Sequence, residues 1–226
     1  IDDLTTIRGR FDGVLKVAGM PSVRPHILPF ALAKLSKIHP DLCVRITAGS
    51  FNTLANDLFS GDIDIIVGGT RSGIGHSDLQ VEVMGQDRIC LVAGVQNPIS
   101  QREDISIDEL DRARWVMPVP GQPSHDIFMN CITKSGIQMR ASATETGAIT
   151  TLRGLLMATN AITIGPRFQT YHEQQHRQLK VLPFKLKDDD WPIGLISRKN
   201  APPPNAIKPF ILCLKEAIEE TESHNL

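Results

Sequence analysis

Six short segments gather hydroxyls, arginines and glycines in arrangements suited to gripping a small molecule. They are Met20-Pro21-Ser22-Val23, Ser50-Phe51, Gly69-Thr70-Arg71, the stretch Pro118 through Gly121 and Pro123 to Ser124, Thr144-Glu145-Thr146, and Gly165-Pro166-Arg167. Ser22, Ser50 and Thr146 offer hydroxyl hydrogen bonds. Arg71 and Arg167 offer charge-assisted bonds to an anionic group. Phe51 offers a face to an aromatic ring. Gly69 and Gly165 allow tight turns and close backbone approach. Each has a plainer role as well: Ser22, Ser50 and Ser124 as helix caps, the arginines as solvated surface, Phe51 as core.

Sets that would do covalent or redox chemistry are missing from the sequence. No G-x-S-x-G, Walker loop, H-E-x-x-H or G-x-G-x-x-G occurs. Gly68 to Gly73 is glycine-rich but lacks the lysine and spacing of a phosphate loop. His172 and His176 stand four apart, as two metal ligands on a helix would, but no third ligand is evident. The expectation is therefore no catalytic residue, no metal and no cofactor. The four cysteines, Cys43, Cys90, Cys131 and Cys213, are widely separated and each lies in an apolar segment. They read as small buried hydrophobes.

The elements that position the six segments follow from periodicity. Val14 to Gly19 reads as a strand. Ile27, Leu28, Ala31, Leu32, Leu35 and Ile38 share one helical face, with Pro25 in the first turn and His39-Pro40-Asp41 as the stop. Leu42 to Thr47 alternates as a strand does. Phe51, Leu54, Ala55 and Leu58 mark a short helix closed by Gly61, and Ile63 to Gly68 is an apolar strand covered on both faces. Strand-like stretches follow at Leu79 to Met84 and Arg88 to Ala93. A second alternating unit begins near Ile107, with strands at Trp115 to Met117, Ile137 to Ala143, Ala161 to Ile164 and Leu179 to Leu182. Helices lie between them around Ile127 to Ile132, Ile149 to Leu156 and Phe168 to Gln175. Trp191 to Ser197 is a returning strand, and Ile207 to Ile218 a final helix. Two successive β-α-β-α-β units imply parallel strands with right-handed crossovers. In such sheets ligands sit beyond the carboxyl ends of the strands, where all six segments fall.

The chain has 226 residues, 41% of them hydrophobic, which is enough for two small domains with real cores. Its net charge of −1 lacks the basic excess of a domain that grips DNA unaided. No apolar run nears the ~18 residues of a membrane span, and Ile1 to Phe11 has no secretory signal pattern. A cytoplasmic location is expected.

With the elements in place, the sequence resembles the effector-binding domain of LysR-type transcriptional regulators. The resemblance rests on order and spacing. A first strand leads to Leu28-Pro29 in a helix and His39-Pro40 at its end. A strand finishing at Gly49 then precedes Leu54, Leu58, Gly61-Asp62 and Asp64 before the apolar strand. Thr144-Glu145-Thr146, Leu152 to Ala158 and Ala161 to Arg167 continue it, so that it covers Asp12 to about Glu220. The fold it implies is α/β, periplasmic-binding-protein-like of type 2, with two α/β subdomains joined by two crossover hinge segments. Residues 13–87 plus 191–226 would form subdomain I and 88–190 subdomain II. Residues 1–12 would be the remnant of a linker helix, and the N-terminal winged helix-turn-helix would be absent from this chain.

The resemblance implies a small anionic or aromatic metabolite bound between the subdomains as effector, and DNA contacted only through the missing domain. It also implies self-association as a dimer, and a tetramer at full length, with the helix Pro25 to Ile38 of one protomer against Ser124 to Lys134 of another. It implies neither a membrane partner nor an enzymatic activity. Two rivals share the architecture. One is a solute-binding receptor for transport. The other is a small clamp-like enzyme, which would need convergent acid–base groups, whereas Glu145 is the one acidic residue at a strand end.

Overall fold

The computed structural model describes residues 14–70, 77–141, 143–200 and 205–223. The chain divides into two compact units. The first takes the described residues up to Asp87 and those from Trp191 onward; the second is Arg88–Asp190.

In the first unit the chain runs β1 (Val14–Gly19), α1 (Ile27–Ile38), β2 (Cys43–Ala48), α2 (Phe51–Ser60) and β3 (Ile65–Gly69). It then takes the first part of β4 (Leu79–Gly94) and, after the second unit, β9 (Asp190–Arg198) and α7 (Ile207–Ser223). Strand order is β2-β1-β3-β9-β4. β1 is parallel to both β2 and β3, and β9 is antiparallel to β3. Every residue of β3 is buried, as its unbroken apolar run requires. Leu54 and Leu58 of α2 pack with Ala18, Ile66 and Ile196, and Gly61 closes that helix at φ 83°. Only glycine takes this left-handed conformation without steric cost.

Helix α1 buries Ile27, Leu28, Ala31 and Leu35 and is joined to α7 by polar contacts. His26 Nε2 meets Thr221 Oγ1 at 2.9 Å, and Lys34 pairs with Glu220 at 2.5 Å and Glu216 at 3.5 Å. Burial opposes the charge on Lys34, but the two carboxylates outweigh it and raise its pKa above 10.5. The apolar face of α1 is thus used within its own chain.

The second unit contains the rest of β4, α3 (Ile107–Arg112), β5 (Arg114–Met117), α4 (Pro123–Lys134), β6 (Ala143–Glu145), α5 (Ile149–Ala158), β7 (Ala161–Pro166), α6 (Tyr171–Gln175) and β8 (Leu179–Val181). β5 is parallel to β6 and β7; β4 is antiparallel to β7 and β8. Trp115 anchors the core. It is 1% exposed, its indole N–H donates to the Leu110 carbonyl at 3.1 Å, and Phe128 meets it edge-on at 5.8 Å. Strand β4 contributes residues to both units.

Several elements differ from expectation. Leu79 to Met84 and Arg88 to Ala93 are one strand, not two. Gly85 does not break it: a Cβ there would meet Ile218 Cγ2 at 2.3 Å, so the glycine makes room for α7. The expected strand from Ile137 to Ala143 shrinks to Ala143–Glu145. Ahead of it, buried Asp111 captures the backbone: its carboxylate accepts from Gln138 N at 2.7 Å and its carbonyl from Arg140 N at 2.7 Å. Met139 between them is driven to φ 47°. Helix α1 starts at Ile27, so Pro25 lies ahead of its first turn. Cys43 is exposed, against the expectation of burial, because β2 is an edge strand; Cys90 in β4 is half-buried, and Cys131 and Cys213 are buried.

Candidate functional site

Parallel pairing sends the C-terminal ends of β1, β2 and β3 to one end of the first unit. There, glycines without side chains are overlaid by bulky neighbours. A Cβ on Gly68 would lie 2.4 Å from Met20 Cβ; one on Gly69 would lie 2.4 Å from the Trp191 ring; one on Gly19 would lie 2.7 Å from Leu28 and 2.8 Å from Arg24 Cγ. Gly19 pairs with Val67 across β1 and β3. Side chains alternate along a strand, so Gly69 shares the face of Val67 and Gly19. Arg24 and Trp191 therefore lie on the same face, each in the notch of a glycine.

Met20 anchors the turn after β1, its N–H donating to Val67 O at 2.9 Å. Val23 is fully buried, so its side chain is core. Pro21 is exposed. Ser22 is 5% exposed and is not the helix cap; His26 holds that position, with no side-chain cap bond. The Ser22 hydroxyl, Arg24 Nε and Trp191 Nε1 are buried without a hydrogen-bond partner. Each such group costs about 1–3 kcal/mol, and natural structures contain few without a reason.

At the other strand ends of this unit, Ser50 does occupy the cap position of α2, but its hydroxyl meets Thr53 Oγ1 at 3.3 Å and makes no cap bond. Phe51 packs on the α2 core. Thr70 is committed to the backbone: its N–H and hydroxyl both donate to Pro192 O, at 2.8 and 3.3 Å. Arg71 lies outside the described residues. Neither Arg24 nor Trp191 was expected from sequence. The three strand-end glycines at 19, 68 and 69 were the available signal, since each marks a large side chain crossing the sheet.

In the second unit the ends of β5, β6 and β7 carry the remaining candidates. Pro118 is half-buried, Gly121 exposed at φ 83°, and Pro123 opens α4, with Gln122 rather than Ser124 at the cap. Thr144 is exposed in β6. Thr146 donates its N–H to Met117 O at 2.9 Å, and its hydroxyl accepts from Ala148 N at 3.1 Å. Gly165, Pro166 and Arg167 are half-buried, and Arg167 O accepts from Gln174 Nε2 at 2.9 Å. Close by, Arg153 and Glu173 form a largely buried ion pair at 3.0 Å.

A surface cavity of about 440 Å³ in this unit lies at the opposite strand ends, lined by Asn97, Ile99, Arg102, Glu109, Arg112 and Asn160. Its charges are already matched, Arg102 with Glu109 at 3.3 Å and Arg112 with Asp108 at 2.8 Å. His176 Nδ1 contacts the His172 carbonyl at 2.7 Å, a side-chain contact to the helix backbone. No group of His, Cys, Asp or Glu among the described residues is arranged to hold a metal. Burial pushes the Cys213 thiol up to about 11, with Glu216 adding to it, so it stays protonated and a poor nucleophile.

Two α/β units that place turns and helix starts at the ends of parallel strands define a small-molecule-binding fold of the type 2 periplasmic-binding-protein kind. The chain belongs to the LysR substrate binding domain family, which it matches over residues 8–219. It is 27% identical over 218 residues to the HTH-type transcriptional regulator GalR of Pseudomonas putida, covering 96% of this chain and 55% of that protein. It is 27% identical over 134 residues to the HTH-type transcriptional regulator CysL of Bacillus subtilis, covering 58% of this chain and 44% of that one. This chain thus spans about half the length of these relatives.

Among solved structures, a mutant of Corynebacterium glutamicum OxyR matches with a TM-score of 0.75 at 22% identity, over 96% of this chain and 67% of that one. The reduced OxyR regulatory domain of Pseudomonas aeruginosa matches with 0.75 at 15% identity, over 92% and 100%. At these identities the likeness establishes the fold. No helix among the described residues is long and apolar enough to cross a membrane.

Proposed function

We propose that this chain is the effector-sensing part of a LysR-type transcriptional regulator, in which a small metabolite docks on the strand-end turns. The observation that carries the reading is the family match over residues 8–219, joined to buried, unpartnered donors at the strand ends of the first unit. Docking regulates only if the metabolite binds one state of the regulator more tightly than another. DNA contact belongs to a segment outside these 226 residues, and the regulator self-associates in the cytoplasm. The division into residues 13–87 with 191–226 and residues 88–190, with 1–12 as linker, is part of the same proposal.

An enzymatic reading has less support. Glu145, the acidic residue at a strand end, is exposed. The transport-receptor alternative has no supporting relative: GalR and CysL are both transcriptional regulators by name.

A thermal-shift screen of aromatic acids, sugar acids and amino acids, followed by calorimetry on the hits, tests the proposal. A hit is expected whose affinity falls on Ser22→Ala and on Ser50→Ala. Light scattering should return a dimer. A monomer that binds its ligand without loss in either variant would refute this assignment and favour the receptor.

A further inference from the structure

We propose that the surface cavity of the second unit is a binding site for a zwitterion of the α-amino-acid class, separate from the strand-end turns proposed for effector docking. The cavity holds about 440 Å³, within the range of small-molecule sites. Pro98, Ile99, Ala113 and Ile162 give it an apolar lining. Ile162 is fully buried and Ile99 and Ala113 half-buried, so the apolar part lies deep. The charged part is the rim, where Arg102 is 59% exposed and Arg112 72%.

The rim is balanced in charge. Arg102 meets Glu109 at 3.3 Å and Arg112 meets Asp108 at 2.8 Å. A ligand with a single charge would take one member of a pair and leave the other without its partner. A molecule that carries a carboxylate and an ammonium group on one carbon satisfies both members at once. The exchange costs little, because exposed ion pairs contribute only about 0–1 kcal/mol. The deep lining then selects the side chain: aliphatic or aromatic, since an unpaired charge beside Ile162 would be desolvated.

Glu109 is set in place for this role. Its Oε2 accepts from Ser106 N at 2.9 Å and from the Ser106 hydroxyl at 2.8 Å, in a capping box at the start of α3. Those bonds hold its pKa below 4.5, so it stays charged at neutral pH. The other oxygen, Oε1, faces Arg102. One oxygen is thus fixed by the helix and the other is presented to the cavity, which reduces the ordering cost of binding. Asn160, exposed on the same lining, carries an amide that can donate to a carboxylate or accept from an ammonium.

L-leucine, L-methionine and L-phenylalanine are titrated into the ¹⁵N-labelled chain. For the amino acid that responds, the same molecule without its ammonium and without its carboxylate serve as controls; for leucine these are 4-methylpentanoate and 3-methylbutylamine. At least one amino acid is expected to move the Ala113 and Asn160 amide resonances saturably and leave Thr144 and Gly165, at the other strand ends, in place. Each control should bind about tenfold or more weakly. Arg102→Ala and Glu109→Gln should each weaken the amino acid by about tenfold or more. Glutamine also serves in a capping box, and Arg102 is largely exposed, so both variants should melt close to the parent.

Equal binding of the amino acid and either control overturns the zwitterion assignment. So does unaltered affinity in both variants, or a lack of shifts at Ala113 and Asn160 up to about 10 mM of all three amino acids, where a millimolar site would be nearly filled. Shifts confined to Thr144 and Gly165 would put the amino acid at the strand-end turns, in which case effector sensing stands and this second site falls.

Discussion

The two units end their parallel strands in opposite chemical conditions. In the first, Ser22, Arg24 and Trp191 hold donors with nothing to donate to. In the second, several polar groups near the strand ends have protein partners, although Arg153 Nε and Glu173 Oε2 are engaged only through the ion pair of their two residues. Thr146 accepts from Ala148 N, Thr163 donates to Val116 O, and Arg153 faces Glu173. The same topology has thus been finished in two ways. Closed networks fix side chains in one arrangement and contribute to stability. Open donors cost stability until a ligand supplies the acceptor. The difference makes the first unit's strand ends the place to test for effector docking and the second unit's the place to test for stability.

The comparison breaks most visibly if the frame is softened. Trp115→Ala should cost about 3–5 kcal/mol, because the ring is 1% exposed and both its hydrogen bond and its Phe128 contact are lost. Urea unfolding followed by circular dichroism measures it, and a loss under about 1 kcal/mol would mean that the site collapses around the gap. Glu173→Gln comes next, at about 3 kcal/mol, since it leaves Arg153 charged and unpaired with only 19% of its side chain exposed. If the frame reading is right, the variant melts earlier but binds the effector as the parent does. A matching fall in affinity would show that the second unit shares in effector recognition.

Gly69→Ala should cost about 1–3 kcal/mol, because its Cβ would lie 2.4 Å from the Trp191 ring and push the indole from its notch. Here the stability loss should come with a displaced Trp191 indole resonance and weaker effector binding. A stable variant with normal binding would show that the indole is not held by Gly69.

How much of this was legible in the sequence depends on how far each cause lies along the chain. The alternation of the first unit was readable because Ile65-Ile66-Val67 and the Leu54/Leu58 spacing carry their own signal. Most of the strand-end turns were readable too, because a turn that leads from a strand into a helix is a local event. Leu79 to Met84 and Arg88 to Ala93 were read as two strands rather than one, because the helix that Gly85 accommodates lies over a hundred residues later. The Ile137 to Ala143 stretch was misread for the same reason: the carboxylate that captures its backbone is Asp111 in α3. Trp191 was read as a strand residue. Nothing local says that it lies across Gly69, and Arg24 was hidden in a turn whose serine drew attention first. Cys43 carried apolar neighbours but sits on an edge strand, and edge position is a property of the sheet, which periodicity does not report.

The finest contrast between the two ends is in the sign of a single small substitution. Thr163 and Ser22 are both nearly buried, at 3% and 5% exposure. Thr163 Oγ1 donates to Val116 O at 2.7 Å, so Thr163→Val keeps the shape and removes that buried bond, and should cost about 1 kcal/mol. Ser22 Oγ has no partner, so Ser22→Ala removes a desolvated hydroxyl that contributed nothing in the free protein. It should leave stability unchanged or raise it by up to about 1 kcal/mol. The trade reverses with ligand: a saturating effector should stabilise the parent more than Ser22→Ala, because ligand that binds the native state more tightly stabilises it more. Paired melting curves with and without ligand read both effects in one experiment. If Ser22→Ala destabilises the free protein as Thr163→Val does, the hydroxyl is already bonded in solution and the first unit's donors are not open.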